Sequence, residues 1–351
     1  MLTVIAEQVA QTPSAFLESP YFGMVLKAVY HATKTVLAFL QRDSVLYWPF
    51  LISTLAIAWL AWRVGRAAPD AVAKSSWRAF ARSHLSRKLW WHPSARLDYR
   101  FYVVNGVVFP LLAAPLLFGE KTVANFLNSV STALPALAAG GTPAGLAITL
   151  AFTVVFFVAY DLGRFLAHCL LHDVDCLWQF HKVHHSAEVL TPMTTFRAHP
   201  VDLLVMAWGG ALVTGLVTWL FHHYIHAGIT FYTFLGLHVM IWVFSLIGNL
   251  RHSQVWLSYG KTLNRWLISP AHHQLHHSAD VQHRGCNRGF ELAIWDRLYG
   301  TLCVPSDAPQ HIQFGLGDET DGRWRSVGKL YVWPFWLLAQ HVRDALRTGK
   351  A

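Results

Sequence analysis

Charge is what this chain has least of. Only 13% of its 351 residues are Asp, Glu, Lys or Arg, against roughly 25% in soluble globular domains. With 54% apolar residues, that shortage excludes an ordinary water-soluble enzyme and points to a membrane protein. Acids are scarcer than bases, 19 against 28, for a formal charge of +9. Much of the excess falls in one stretch, which suits an anionic membrane surface and not nucleic acid. Cysteine is sparse too. Cys169, Cys176, Cys286 and Cys303 form no CxxC pair and no disulfide-like spacing, which predicts reduced, unpaired thiols on the cytosolic side. The start of the chain lacks the basic, apolar and cleavage regions of a signal peptide, so none is expected to be removed. There is no GxGxxG after a strand, no four-cysteine iron–sulfur spacing and no GxSxG. Nucleotide, iron–sulfur and serine-nucleophile chemistry within this chain are thereby set aside.

Histidine is abundant, with 21 residues. His168 and His172 lie in HCLLH, and His181, His184 and His185 in HKVHH. A second HxxHH places His273, His276 and His277 in HHQLHH. Residues three and four apart share a helix face, so His168 and His172 project together, as do the three histidines of each HxxHH. Eight imidazoles in three helically spaced sets, each beside an apolar segment, read as a metal site. Neutral imidazole suits Zn, Cu, Fe or Ni. A structural zinc site takes four ligands and usually includes cysteine, so this many histidines predict two metals. His252, which follows the last apolar segment, is a ninth candidate ligand. His283 reads as a ligand or an orienting residue, and Asn287 belongs with it. His199 is a ligand or, more naturally before Pro200, a helix cap. His272 packs or supports from outside the ligand shell. Asp161 either orients an imidazole or pairs with Arg164. His222, His223 and His226 fall at the opposite membrane face.

The predicted fold is all-α, a multi-span transmembrane helical bundle capped by a cytosolic helical di-metal domain. Residues 1–45 form an amphipathic segment (a helix from Ala15 to Gln41) that spans the membrane or lies on it. Residues 46–303 form the main unit, with spans at 46–62, 101–118 (kinked by Pro110), 146–167, 201–221 and 229–247. Arg63 to Arg100 is a basic loop that sets the cytoplasmic side. Gly119 to Pro143 connects spans on the other side. The histidine-rich cap comprises 168–200 and 248–303, facing the cytoplasm. Residues 304–351 supply a loop and an interfacial helix, Leu330 to Arg347, whose apolar part is too short to span.

HCLLH, HKVHHS, FRAHP, RHSQVW, HHQLHHS and NRGFELAIWDRLYGT, in this order from about Asp161 to Thr301, resemble the fatty acid hydroxylase / sterol desaturase superfamily of integral-membrane, non-haem di-iron oxidoreductases. The resemblance implies two irons, with dioxygen as co-substrate and electrons from outside the chain. It implies nine ligands: His168, His172, His181, His184, His185, His252, His273, His276 and His277. Gln274 departs from an Arg frequent in the family and His272 from an apolar residue, and both are expected to shape substrate preference. The implied reaction is hydroxylation or desaturation of a membrane lipid: a fatty acyl chain, a sterol-like lipid or an aminolipid. Oxidising an unactivated C–H bond lies beyond side-chain acid–base chemistry and belongs to a metal. The electron donor would be a separate reductase, ferredoxin or cytochrome-type protein, and no nucleic-acid partner is expected. Two other readings use the same donors. One is a membrane zinc hydrolase, although HxxHH lacks the Glu of HExxH. The other is a metal transporter or sensor, although transporters place ligands near the bilayer midplane. Zinc also fits these donors in a purified protein.

Overall fold

The computed structural model describes residues 20–64, 76–131, 144–318 and 321–348. Ala15 to Ser19 of the first expected helix, Arg66, Asp70 and Lys74 of the basic stretch, and residues 132–143 lie outside them. The described chain is mostly helical: α1 (Pro20–Val36), α2 (Trp48–Arg63), α3 (Trp77–His84), α4 (Pro93–Leu112), α5 (Glu120–Val130), α6 (Leu146–Asp173), α7 (Asp175–His185) and α8 (Pro200–Tyr224). A two-stranded hairpin follows, β1 (Thr233–Phe234) and β2 (Leu237–His238). The longer helices after it are α9 (Val239–Gly248), α10 (Pro270–His276), α11 (Ile294–Tyr299) and α12 (Val327–Thr348), with a single turn at Gly260–Leu263.

Two helices, α6 with 28 residues and α8 with 25, are long and apolar enough to cross a membrane, for which about 20 apolar residues suffice. They touch through small residues. A Cβ on Gly163 would lie 2.4 Å from the Gly209 carbonyl oxygen, and one on Gly209 would lie 2.6 Å from the Ala167 Cβ. Backbones this close are the packing that small residues allow between membrane helices. It brings the histidine-bearing end of α6 against the start of α8.

Three segments differ from expectation. The apolar composition of residues 229–247 predicts one helix. Leu235 (φ 52°) and Gly236 (φ 82°) instead reverse the chain in a tight hairpin, as positive φ at both central residues allows. His238 Nε2 bonds the Thr153 carbonyl, and Thr153 Oγ1 accepts from Tyr232 N–H, fastening the hairpin to α6. The ten-residue α9 left over rises about 15 Å at 1.5 Å per residue, half the hydrocarbon thickness of a bilayer. The segment 101–118 is likewise not one helix: α4 ends two residues after Pro110. The chain resumes in α5, in place of the expected connection, and α5 lies along α8 with Val123 against Gly215. Much of the basic stretch is helical, in α3 and the one-turn helix Arg87–Trp90. Helix α2 runs beside α9, where Ser53 Oγ donates to the Leu246 carbonyl (2.8 Å) and Phe50 meets Trp242 edge-on. Helix α12 buries Leu330 against Leu97, Phe101 and Val183 while Val332, Phe335 and Trp336 stay exposed, the division an interfacial helix shows.

One buried ion pair ties these elements together. The Arg197 guanidinium donates to Asp98 Oδ1 on α4 (2.9 Å), to Ser186 Oγ and the Val183 carbonyl at the end of α7, and to the Trp324 carbonyl. Arg197 and Asp98 are 1% and 0% exposed. Burial pushes the Asp98 carboxyl up against the opposing pull of Arg197, so the pair organises the fold more than it stabilises it. Removing one partner alone is costly. Asp98→Ala is expected to destabilise the protein by about 3–5 kcal/mol by leaving Arg197 buried and unpaired. Thermal unfolding of the detergent-solubilised variant checks this, and an unchanged midpoint would refute it.

Candidate metal centre

The histidines are positioned by four pieces of chain: the C-terminal end of α6, the last two turns of α7, the loop after α9, and α10 with the residue beyond it. All nine expected ligands converge, in two adjacent sets. One holds His168, His172, His181, His185 and His276; the other holds His184, His252, His273 and His277. Within each set the donor atoms lie within 4.8 Å of one another. Each HxxHH therefore does not project as a unit. The i, i+4 pair of each motif enters one set and the residue between enters the other, because consecutive helical residues are about 100° apart.

The hydrogen bonds decide which nitrogen faces inward. His181 Nδ1 lies 2.7 Å from Asp202 Oδ2, His168 Nδ1 2.7 Å from the Arg288 carbonyl, and His276 Nδ1 2.7 Å from the Cys286 carbonyl. His184 Nδ1 faces the Arg197 carbonyl at 3.3 Å. Carbonyls and carboxylates only accept, so each of these Nδ1 atoms carries the proton and each Nε2 presents a lone pair. In the first set those lone pairs meet: His168 and His181 Nε2 are 3.0 Å apart. In the second set His252 Nε2 lies 2.9 Å from His273 Nε2 and 3.2 Å from His184 Nε2. Metal–nitrogen bonds of about 2.0–2.1 Å at right angles separate donors by about 3 Å. His185 Nε2 and His276 Nε2 are buried with no hydrogen-bond partner at all. Facing lone pairs are repulsive unless a cation lies between them, and in both sets the donor atoms converge closely enough for these residues to fit metal ions. Burial holds His184 down at about 4 and His276 at about 3, and His185, His252, His273 and His277 well below the ordinary value. All remain neutral at physiological pH, the form that binds metal.

The other candidates are elsewhere. His199 caps α8: its Nδ1 accepts from Val201 N–H, and its Nε2 bonds the Tyr331 carbonyl. His272 caps α10 through Ser269. His283 bonds Ser278 Oγ outside both sets. Asp161 neither orients an imidazole nor pairs with Arg164. Its carboxylate accepts from the backbone N–H groups of Glu291 and Leu292 and from Trp295 Nε1–H, clamping the segment after the second cluster to α6. Asn287, at φ 53°, holds the Cys303 backbone from both sides. That clamp explains a further correction: Cys286 and Cys303, expected as free thiols, form a disulfide with Cα atoms 5.7 Å apart. Cys169 and Cys176 are free. Gln274 points away from the centre and bonds the Ser253 and Val255 carbonyls, so it shapes the loop that carries His252.

Asp202 and Thr195, whose hydroxyl meets His252 Nδ1 at 3.0 Å, escape a reading of the sequence alone. An acid in the first turn of an otherwise apolar helix is the available signal for Asp202. Thr195 offers none.

Two cavities flank the centre. One, of about 300 Å³, reaches from His252 and His273 up between α6 and α9, past Phe290, Phe244, Ile241 and Phe157. The other, of about 390 Å³, opens at His172, His185 and His276 among Asp175, Asp280 and Arg284.

A family model described as fatty acid hydroxylase matches residues 153–301. An ornithine lipid hydroxylase of Rhizobium tropici is 32% identical over 160 residues, 44% of this chain and 43% of that protein. An alkylglycerol monooxygenase of Danio rerio is 27% identical over 43% of this chain and 30% of its own length. A Delta(7)-sterol 5(6)-desaturase of Gibberella zeae is 31% identical over 44% of this chain and 42% of its own length. The chain thus spans less than half the length of these relatives. No solved structure matches it.

Proposed function

We propose, from the match of residues 153–301 to the fatty acid hydroxylase family, that this chain is a membrane-bound di-iron oxidoreductase that hydroxylates or desaturates a membrane lipid. One observation carries the reading: nine imidazoles converge in two adjacent sets, and His252 and His273 of the second set line a cavity with a largely apolar wall. His168, His172, His181, His185 and His276 would hold one iron, and His184, His252, His273 and His277 the other. Iron supplies the dioxygen activation and C–H oxidation that no side chain here can perform.

The chain's own residues do the rest. Asp202 and the carbonyls of Arg288, Cys286 and Arg197 keep the Nδ1 protons in place and the imidazoles fixed, as outer partners of metal ligands do. Phe157, Phe244 and Ile241 give the cavity an apolar wall that excludes water and matches a hydrocarbon chain entering from the bilayer. The opposite cavity is lined by Asp175, Asp280, Asp318, Arg284 and Arg288, a polar face suited to protons and to a separate electron-donor protein. Arg78, Arg82, Arg87, Lys88 and Arg96 belong to a stretch joined to the histidine-bearing segment by the bonds of Ser94 to Glu188 and of Asp98 to Arg197, which by the positive-inside tendency would favour the cytoplasmic side for the centre. Residues 46–303 would form the catalytic unit, flanked by 1–45 and 304–351.

The test is incubation of the purified protein with membrane lipid, a reduced ferredoxin or cytochrome system and ¹⁸O₂, with products read by mass spectrometry. Gain of one heavy oxygen marks hydroxylation, and loss of two hydrogens marks desaturation. Turnover that proceeds equally without dioxygen would remove the proposal in favour of hydrolysis.

A further inference from the structure

The cavity contains a guanidinium that no carboxylate among the described residues meets in an ion pair, although Asp161 lies near enough to feel its charge. Three arginines line it: Arg42, Arg164 and Arg251. Arg251 is paired with Glu291, and Arg42 donates to the Leu235 carbonyl. Arg164 has neither kind of partner among the described residues. Asp161, three residues before it, is consumed by Glu291 N–H, Leu292 N–H and Trp295 Nε1–H. The Arg164 guanidinium carbon instead lies over the Phe290 ring, 3.7 Å from its centroid, with the Tyr160 ring at 5.4 Å. Ring faces offset part of the cost of holding a cation in an apolar wall, but they leave its five N–H donors without acceptors. A half-buried guanidinium braced by aromatic rings, with its donors free, is prepared for a ligand that brings the acceptors.

Its place along the cavity limits what that ligand can be. Arg164 stands one helical turn before His168 on the same face of α6, and Phe290 is wedged between them, 5.3 Å from the His168 ring centroid. The guanidinium is therefore separated from the His168 ring of the first set by one aromatic ring. Above it the wall is hydrocarbon: Phe157, Phe244, Ile241.

Resting on the function proposed above and deepening it, we propose that Arg164 binds the acidic group, a carboxylate or phosphate, of an anionic lipid, so that the carbon presented to the centre lies a few bonds from that group. Planar, bidentate recognition of carboxylate or phosphate is what a guanidinium does better than an ammonium. The chain would then oxidise acidic lipids near the polar end and discriminate against neutral ones of equal length.

The experiment reads binding, not turnover. The full-length protein in nanodiscs is immobilised, and radiolabelled stearate, octadecyl phosphate and octadecanol are compared at equilibrium by scintillation proximity at pH 8.5. Wild-type protein is expected to hold stearate or octadecyl phosphate roughly tenfold or more tightly than octadecanol, and the stronger of the two names the acidic group. Arg164→Gln should abolish that preference while leaving octadecanol binding and metal content unchanged, and Arg164→Lys should restore part of it. The proposal is overturned if wild-type protein shows no preference, if the preference survives Arg164→Gln, or if Arg164→Gln weakens all three ligands alike. The wild-type comparison decides even if a variant fails to insert. A chain that binds acidic lipid selectively yet consumes no dioxygen would keep this inference and refute the oxidase reading, so the two fail separately.

Discussion

His276→Ala is expected to bring lipid oxidation below detection while the protein remains inserted in the membrane. His276 supplies one Nε2 of the five-imidazole set and has its other nitrogen fixed by the Cys286 carbonyl at 2.7 Å. Alanine in α10 keeps the helix and leaves the two long apolar helices untouched, so insertion does not depend on the change. On the proposed reading, metal content drops from about two toward one per chain, because the four-imidazole set is intact. The loss of activity should exceed the roughly 10–100-fold expected when only an outer hydrogen-bonding partner goes. Asp202→Ala, which frees the His181 ring without removing a donor, supplies that comparison. His283→Ala is the control, since its ring bonds Ser278 outside both sets, and it should turn over like the wild type. Elemental analysis and mass-spectrometric turnover of the same preparations check all three. If His276→Ala oxidises lipid at the wild-type rate, the five-imidazole set is not part of the active centre.

What the residues announce in advance separates according to range. Helical spacing is local physics, so the grouping of His168 with His172 and the two HxxHH motifs is legible from periodicity alone. The apolar lengths of 146–167 and 201–221 likewise announce α6 and α8. The partition of each HxxHH follows from the same helical geometry, but which set each residue joins is not legible, because it depends on where the facing helices stand. The failure at 229–247 has a different origin. Its composition is apolar enough for a span, but Leu235 and Gly236 at positive φ and the bonds of Thr153 to the hairpin override composition. The disulfide escapes because the approach of Cys303 to Cys286 is made by Asn287, a bridge that no cysteine spacing encodes. Asp161 reads from the sequence as an engaged carboxylate, and it is one, but not with an imidazole or with Arg164. Its partners include backbone N–H groups 130 and 131 residues away. Backbone partners leave no signature in residue identity, and the carbonyls of Arg288, Cys286 and Arg197 that hold the imidazoles are invisible for the same reason.

Metal exchange should have the other large effect. Stripping the protein with a chelator is expected to abolish turnover; Fe(II) should restore it and Zn(II) should not. The two metals differ in redox chemistry more than in fit. Imidazole donors bind zinc more tightly than ferrous iron in the usual affinity order, so zinc will fill both sets, yet it has no accessible redox couple. Stability provides an independent axis. Without a cation the inward Nε2 lone pairs of His168 and His181, 3.0 Å apart, repel one another in a buried space. Either metal binds the folded chain and not the unfolded one, and should raise the unfolding temperature by mass action. The stripped protein should therefore unfold at the lowest temperature, and the iron and zinc forms should both be stabilised. Only the iron form should consume dioxygen with a lipid and an electron donor. Zinc that restores turnover without dioxygen would establish a hydrolase on the same nine histidines. A chain whose unfolding temperature responds to neither metal would show that the imidazoles meet for some purpose other than binding one.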